Sequence, residues 1–124
     1  MCQARLKEVV AGIKKVIISR QGQEAISAYH VISSTREAAL IRVAIKTGRL
    51  HQIRAHMMFL GAQVAGDEIY VVPTAPKLPR PPRLALHAAM LGFKHPMTGK
   101  WMETRTALPP DLAAYAAKLG LSAK

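Results

Sequence analysis

Between Thr47 and Tyr70 the stretch TGRLHQIRAHMMFLGAQVAGDEIY crowds Arg49, His51, Gln52, Arg54 and His56 together. Polar groups are crowded there, and at the start of a helix such a cluster suits the docking of a phosphate. On a helix, Arg54 and His51 project within about 60° of one another, beside the apolar stripe rather than opposite it. They can therefore line one site, or they can form an exposed cluster on a solvated helix face. His51 and His56 are five residues apart, which turns the second imidazole to another face, whereas helical metal ligands usually sit four apart. The single cysteine, Cys2, leaves no CxxC pair and no internal disulfide. No Ser-His-Asp or Cys-His arrangement stands out, and His30 and His95 read as structural or exposed. The spacing thus argues against a metal site.

Positioning this cluster falls to a strand that runs into a helix. Leu50, Ile53, Met57 and Leu60 follow one helical stripe and Gly61 supplies a stop, which predicts a helix from Leu50 to Leu60. Thr47 or Gly48 would stand at its N-terminal end, where free amides and the helix dipole favour an anion. Before it, Ile41, Val43 and Ile45 alternate with Arg42 and Lys46, as on a strand with one core face and one basic face. Earlier still, Lys14 to Ser19 and Ile26 to Ser33, separated by Gln21-Gly22, predict a hairpin. Pro73 to Pro82 holds five of the eight prolines and reads as a surface loop. Leu84 to Phe93 and Trp101 to Thr106 predict a second hairpin across His95 to Lys100, and Pro109-Pro110-Asp111 opens a final helix through Lys118, closed by Gly120. The order β-β-β-α-loop-β-β-α is that of an α+β domain with a largely antiparallel sheet, and it excludes a Rossmann or P-loop reading.

The 124 residues fit one domain, residues 1–124, and with half of them hydrophobic the chain should fold. Lys and Arg number 18 against 7 acidic residues, a formal charge of +11, so a polyanionic partner is implied and nucleic acid comes first. Lys14, Lys15, Arg42, Arg49 and Arg83 are the candidate phosphate contacts. No apolar run approaches a membrane span, no basic stretch is clean enough to lie in an interface, and the N-terminus has no signal-peptide pattern. A cytoplasmic location without membrane association is the expectation.

The same stretch resembles the signature of RluA-type RNA pseudouridine synthases, which runs TGR-x-HQIR-x-H, a short apolar stretch, LG, and later GD-x-x-Y. AISAYHVISSTREAALIRVAIKTGR resembles the strand pair before it, and RLALHAAMLGFKHPMTGKWMETRTALPPDL the closing part, with its LHA, HP-x-TG and LP-x-DL elements. The resemblance spans about residues 14–120. It implies a mixed sheet with helices on its outer faces and an RNA cleft across it. It also implies isomerisation of uridine to pseudouridine in ribosomal or transfer RNA, without cofactor or metal, on a base that has left its stack.

Residue by residue, the resemblance gives Arg54 the role of pairing with the catalytic aspartate and Leu86 that of packing against the target base. Arg49, His51 and Gln52 would serve structure or RNA phosphates. The family's aspartate lies in an HRLD-x-x-TSG segment and its stacking tyrosine in a K-x-Y segment, and neither pattern occurs here. Glu8, Glu24, Glu37, Asp67, Glu68, Glu103 and Asp111 are the acidic residues, and Asp67 reads as part of a structural turn. The expectation is the C-terminal half of the catalytic domain, inactive alone, with Arg54 left without a carboxylate and a separate N-terminal half as a possible partner. Two alternatives stand beside it: a non-catalytic basic RNA-binding module, and a degraded gene product without function.

Overall fold

The computed structural model describes residues 1–122. Its elements run β1 (Leu6–Ala11), β2 (Ile13–Ile18), β3 (Ser27–Ser34), β4 (Ala39–Ile45), α1 (Gln52–Phe59), β5 (Met90–Lys94), β6 (Trp101–Arg105) and α2 (Pro110–Lys118). The class is α+β and every ladder is antiparallel, as the pattern predicts. The strands form three two-stranded ribbons, β1-β2, β3-β4 and β5-β6, instead of joining side by side.

The first predicted hairpin is not formed. β2 pairs with β1, which the sequence reading leaves out, and β3 pairs with β4. β1 escapes notice because Leu6, Lys7, Glu8, Val9 and Val10 show no two-residue alternation. The chain reverses between β1 and β2 at Gly12, whose φ of 80° lies in the left-handed region open to glycine. Gln21-Gly22 then brings the chain back onto Leu6, where the Gln23 and Leu6 amides and carbonyls exchange bonds of 2.8 and 3.0 Å. A side chain at position 22 would lie 2.5 Å from the Leu6 backbone, so only glycine permits this approach.

Leu6, Val16, Ala25, Ala55 and Tyr70 form the core, with Ile18, Leu50, Met58 and Ile69 packed around it. α1 lies against β2 and β3. Its inward face is not the Leu50, Ile53, Met57, Leu60 stripe alone: Gln52, Ala55, His56 and Met57 are buried, whereas Leu60 is exposed. The helix also starts later than predicted. His51 caps it in a left-handed conformation (φ 48°, ψ 28°), and Gly61 at φ 85° ends the turn after it.

Pro73 to Pro82 is free of strand and helix. The strand predicted from Leu84 begins only at Met90, because Ala85 N–H is committed to Ala65 O at 2.8 Å. That bond ties the RLALHA segment to the turn at Gly66, where an added Cβ would crowd Pro81, Arg83 and Leu84. α2 is held to the rest by Tyr115, whose hydroxyl donates to Pro79 O, and by an ion pair between Arg83 and Asp111 at 3.0 Å. Among the described residues no helix is long and apolar enough to cross a membrane.

Candidate functional site

The site begins with Gln52, at the first turn of α1. Its side-chain oxygen accepts from the Thr47 hydroxyl at 2.7 Å and the Arg49 amide at 3.1 Å, and its nitrogen donates to Ile26 O at 2.8 Å and Ser27 Oγ at 2.9 Å. Every donor and acceptor of that amide is used. Of the two roles open to Gln52, the geometry assigns the scaffold, since it is 3 % exposed and has no group left for a phosphate. The Arg49 amide, expected to be free at the helix start, is the one Gln52 occupies.

One turn on, His56 continues the same chain. It is fully buried, and because Ala4 O can only accept, its Nε2 donates there at 2.8 Å and its Nδ1 accepts from Ser27 Oγ, also at 2.8 Å. Protons therefore run in one direction, from Gln52 to Ser27 to His56 to the backbone of Ala4. The spacing of Gln52 and His56, four apart, is a signal that they share one helix face, and their burial follows from partners distant in sequence.

Arg54 lies on the other side of the helix. Its Nε and Nη2 donate to the two oxygens of Asp67 at 2.9 and 2.8 Å, a bidentate pair with the Asp67 side chain wholly buried and that of Arg54 15 % exposed. The expectation that Arg54 lacks a carboxylate is thus corrected: the GD-x-x-Y turn supplies one. Asp67 Oδ1 also accepts from the amides of Ile69 and Tyr70, both at 3.0 Å, so the turn and the ion pair share one carboxylate. Burial alone would push the Asp67 carboxyl up, but the Arg54 hydrogen bond and the two amides outweigh it and hold it below its ordinary value.

Tyr70 joins the arginine to the histidine. The Arg54 guanidinium carbon lies 5.2 Å from the centre of its ring, and the His51 ring meets it edge-on at 5.4 Å. Its hydroxyl accepts from the Val16 amide at 3.0 Å and lies 2.7 Å from His51 Nδ1. With the Val16 amide already donating, every proton is used if the Tyr70 hydroxyl donates to Nδ1, leaving the His51 proton on Nε2. Burial first, and then the Arg54 charge, push the His51 pKa down, which favours this neutral form. The left-handed backbone of His51, costing roughly 1 kcal/mol, is held by this contact and by the helix it caps.

The remaining predicted residues are dispersed. Arg49 Nε donates to Glu24 O at 2.7 Å, which leaves its outer nitrogens available. Lys14 sits 3.4 Å from Glu8 on the first ribbon and Lys15 beside it is half-buried. Arg42 is exposed on β4 opposite His30, and Arg83 pairs with Asp111. Leu86 is half-buried in the segment tied to the Gly66 turn. A groove of about 310 Å³ borders that turn, lined among others by Asp67, Glu68, Arg80 and Arg83. Tyr70 and Ser27 are members of the site that sequence reasoning did not assign, while it put His56 in the cluster without its partners and Asp67 in a turn without its cation.

No protein-family model matches the chain. Curated relatives do. An uncharacterized RNA pseudouridine synthase, YlyB, of Bacillus subtilis is 36% identical over 107 residues, covering 81% of this chain and 32% of that protein. Ribosomal large subunit pseudouridine synthase D of Pseudomonas aeruginosa is 37% identical over 108 residues, 79% of this chain and 34% of its own length. The dual-specificity RNA pseudouridine synthase RluA of Pasteurella multocida is 37% identical over 90 residues, 72% of this chain and 40% of the relative. The chain spans about a third of the length of the relatives it matches, and as that third it belongs to the RluA- and RluD-type family of RNA pseudouridine synthases.

Proposed function

We propose that this chain is the RNA-binding and active-site-supporting portion of an enzyme that isomerises uridine to pseudouridine in ribosomal or transfer RNA, in the cytoplasm, and that by itself it does not catalyse the reaction. The observation that carries the reading is the state of Arg54. Asp67 engages the guanidinium side-on through Nε and Nη2, and Nη1 donates to no group among the described residues. A planar guanidinium held on one edge can receive a second carboxylate on the other. Asp67 then acts as the support that orients Arg54, and a catalytic aspartate from an HRLD-x-x-TSG segment would be the second partner. None of the seven acidic residues of this sequence stands in such a segment. Leu86, near the Gly66 turn, would pack against the extruded base, and Arg49 would add a phosphate contact.

The test incubates defined ribosomal and transfer RNA transcripts with the purified chain, alone and with an aspartate-bearing N-terminal segment of a relative, and maps pseudouridine at nucleotide resolution. Conversion only in the complemented reaction is expected. Pseudouridine made by the chain alone would overturn the claim of dependence. RNA affinity without conversion in any mixture would leave a binding module instead.

A further inference from the structure

The β5-β6 ribbon has two different faces. Its register sets Met90, Gly92 and Lys94 opposite Arg105, Glu103 and Trp101 on one side, and Leu91 and Phe93 opposite Thr104 and Met102 on the other. On the first face the Trp101 indole leans over Gly92: a Cβ there would lie 2.3 Å from its Cζ2 and 3.0 Å from its Cη2. Gly92 is thus the seat that lets the ring lie against the backbone. The indole N–H donates to Glu103 Oε1 at 3.1 Å, and Arg105 Nη2 reaches Glu103 Oε2 at 3.4 Å. Trp101 is therefore fixed on one side and at its nitrogen, yet it remains 61 % exposed.

A large aromatic surface held in water without covering groups is suited to a flat partner. The surroundings give the partner its charge. Lys94 stands opposite Trp101 in the ladder, Lys100 precedes it and Arg105 follows on the same face, three cations against the one carboxylate of Glu103. An apolar protein segment would fit the Leu91, Phe93, Met102 face, which carries no charge. An aromatic ring among cations fits a polyanion that carries flat bases.

We propose that Trp101 is a stacking platform for an unpaired base of single-stranded RNA, with Lys94, Lys100 and Arg105 contacting the phosphates on either side. The inference rests on the reading of the chain as RNA-binding and extends it to a second contact, away from Arg54. Trp101 is the sole tryptophan, so its emission reports on this site alone.

The experiment titrates the chain with a single-stranded RNA of about ten nucleotides, with a duplex of the same composition, and with inorganic polyphosphate, which has the charge but no bases. The single strand should quench Trp101 emission, and polyphosphate at equal occupancy should not. Trp101→Ala should weaken binding of the single strand roughly 5- to 150-fold, and Trp101→Phe, which keeps an aromatic face, should restore most of the loss. Tight binding with unchanged emission and no effect of Trp101→Ala would overturn the platform while leaving RNA binding in place. Equal quenching by polyphosphate, or a Phe variant as weak as the Ala variant, would reduce Trp101 to a bystander or a ribbon brace and overturn it too. Absence of any RNA binding at low salt would remove both this inference and the reading beneath it.

Discussion

At the scale of single residues, the meaning of Arg54 depends on Asp67. The sequence motif marks the arginine, and its turn in toward the protein follows from a position at the margin of the apolar stripe. Its partner was not legible, because the two residues are 13 apart and a GD turn reads as structure whether or not its carboxylate holds a cation. Both roles prove to belong to the same oxygens. Asp67→Asn retains an oxygen for the Ile69 and Tyr70 amides but loses the charge, and it should cost about 2–3 kcal/mol at neutral pH. The pH dependence has a definite sign. A carboxyl held below its ordinary value of 3.8 contributes stability that is complete above that value and is lost as the pH falls through the lower folded value. Denaturant midpoints of the unmodified chain should therefore drop once the pH falls below the ordinary carboxyl value of 3.8, while those of Asp67→Asn change less and the gap closes. A gap that stays constant down to the acid limit would show that Arg54 and Asp67 contribute little as a charged pair.

Among the elements, α1 shows how far periodicity carries. Its existence, its glycine stop and the apolar positions Ile53 and Met57 follow from spacing, but the start does not. Gln52 and His56 look like surface residues by type, and only their partners, Ser27 on β3, Ile26 just before it and Ala4 near the N-terminus, make their burial possible. Those partners are far away in sequence, which is why a local pattern could not reveal them. The pairing of β2 was lost for a related reason: Gln21-Gly22 is a good turn signal, yet the turn serves a close approach to Leu6 and not a two-strand reversal. The second hairpin was legible because His95 to Lys100 carries its turn residues between strands that contact mainly each other. If Gln52 is the pin that joins α1 to β3, Gln52→Ala strands buried partners at four bonds and should lower stability by about 2–4 kcal/mol. Gln52→Glu, of similar shape, should recover little, because it removes the donors to Ile26 and Ser27. Thermal unfolding followed by far-ultraviolet dichroism would measure both, and a near-neutral Gln52→Ala would deny the pin its role.

For the molecule as a whole, the excess of positive charge is the feature read most directly from composition, and the structure distributes it widely. Lys14 and Lys15 on β2, Arg42 on β4, Arg49 before α1 and Arg83 after the proline-rich loop lie on four separate segments, and the exposed pairs of Lys14 with Glu8 and Arg83 with Asp111 are weak enough to yield to a phosphate. If all five meet phosphates of a single strand, a slope of about −0.7 per contact makes the affinity fall roughly 100-fold between about 50 and 200 mM salt. Filter binding across that range measures the slope, and a flat response would exclude phosphates as the main source of affinity. The position of the sole tryptophan has a separate consequence for how folding can be followed. Trp101 sits on a ribbon whose residues, apart from Gly92, are exposed, while the core of Leu6, Val16, Ala25, Ala55 and Tyr70 contains no indole. Intrinsic emission in denaturant thus reports the melting of a peripheral hairpin, and a midpoint taken from it is not the stability of the domain. Dichroism, or the environment of Tyr70, senses the cooperative unit, and the separation between the two signals measures how independently the ribbon opens.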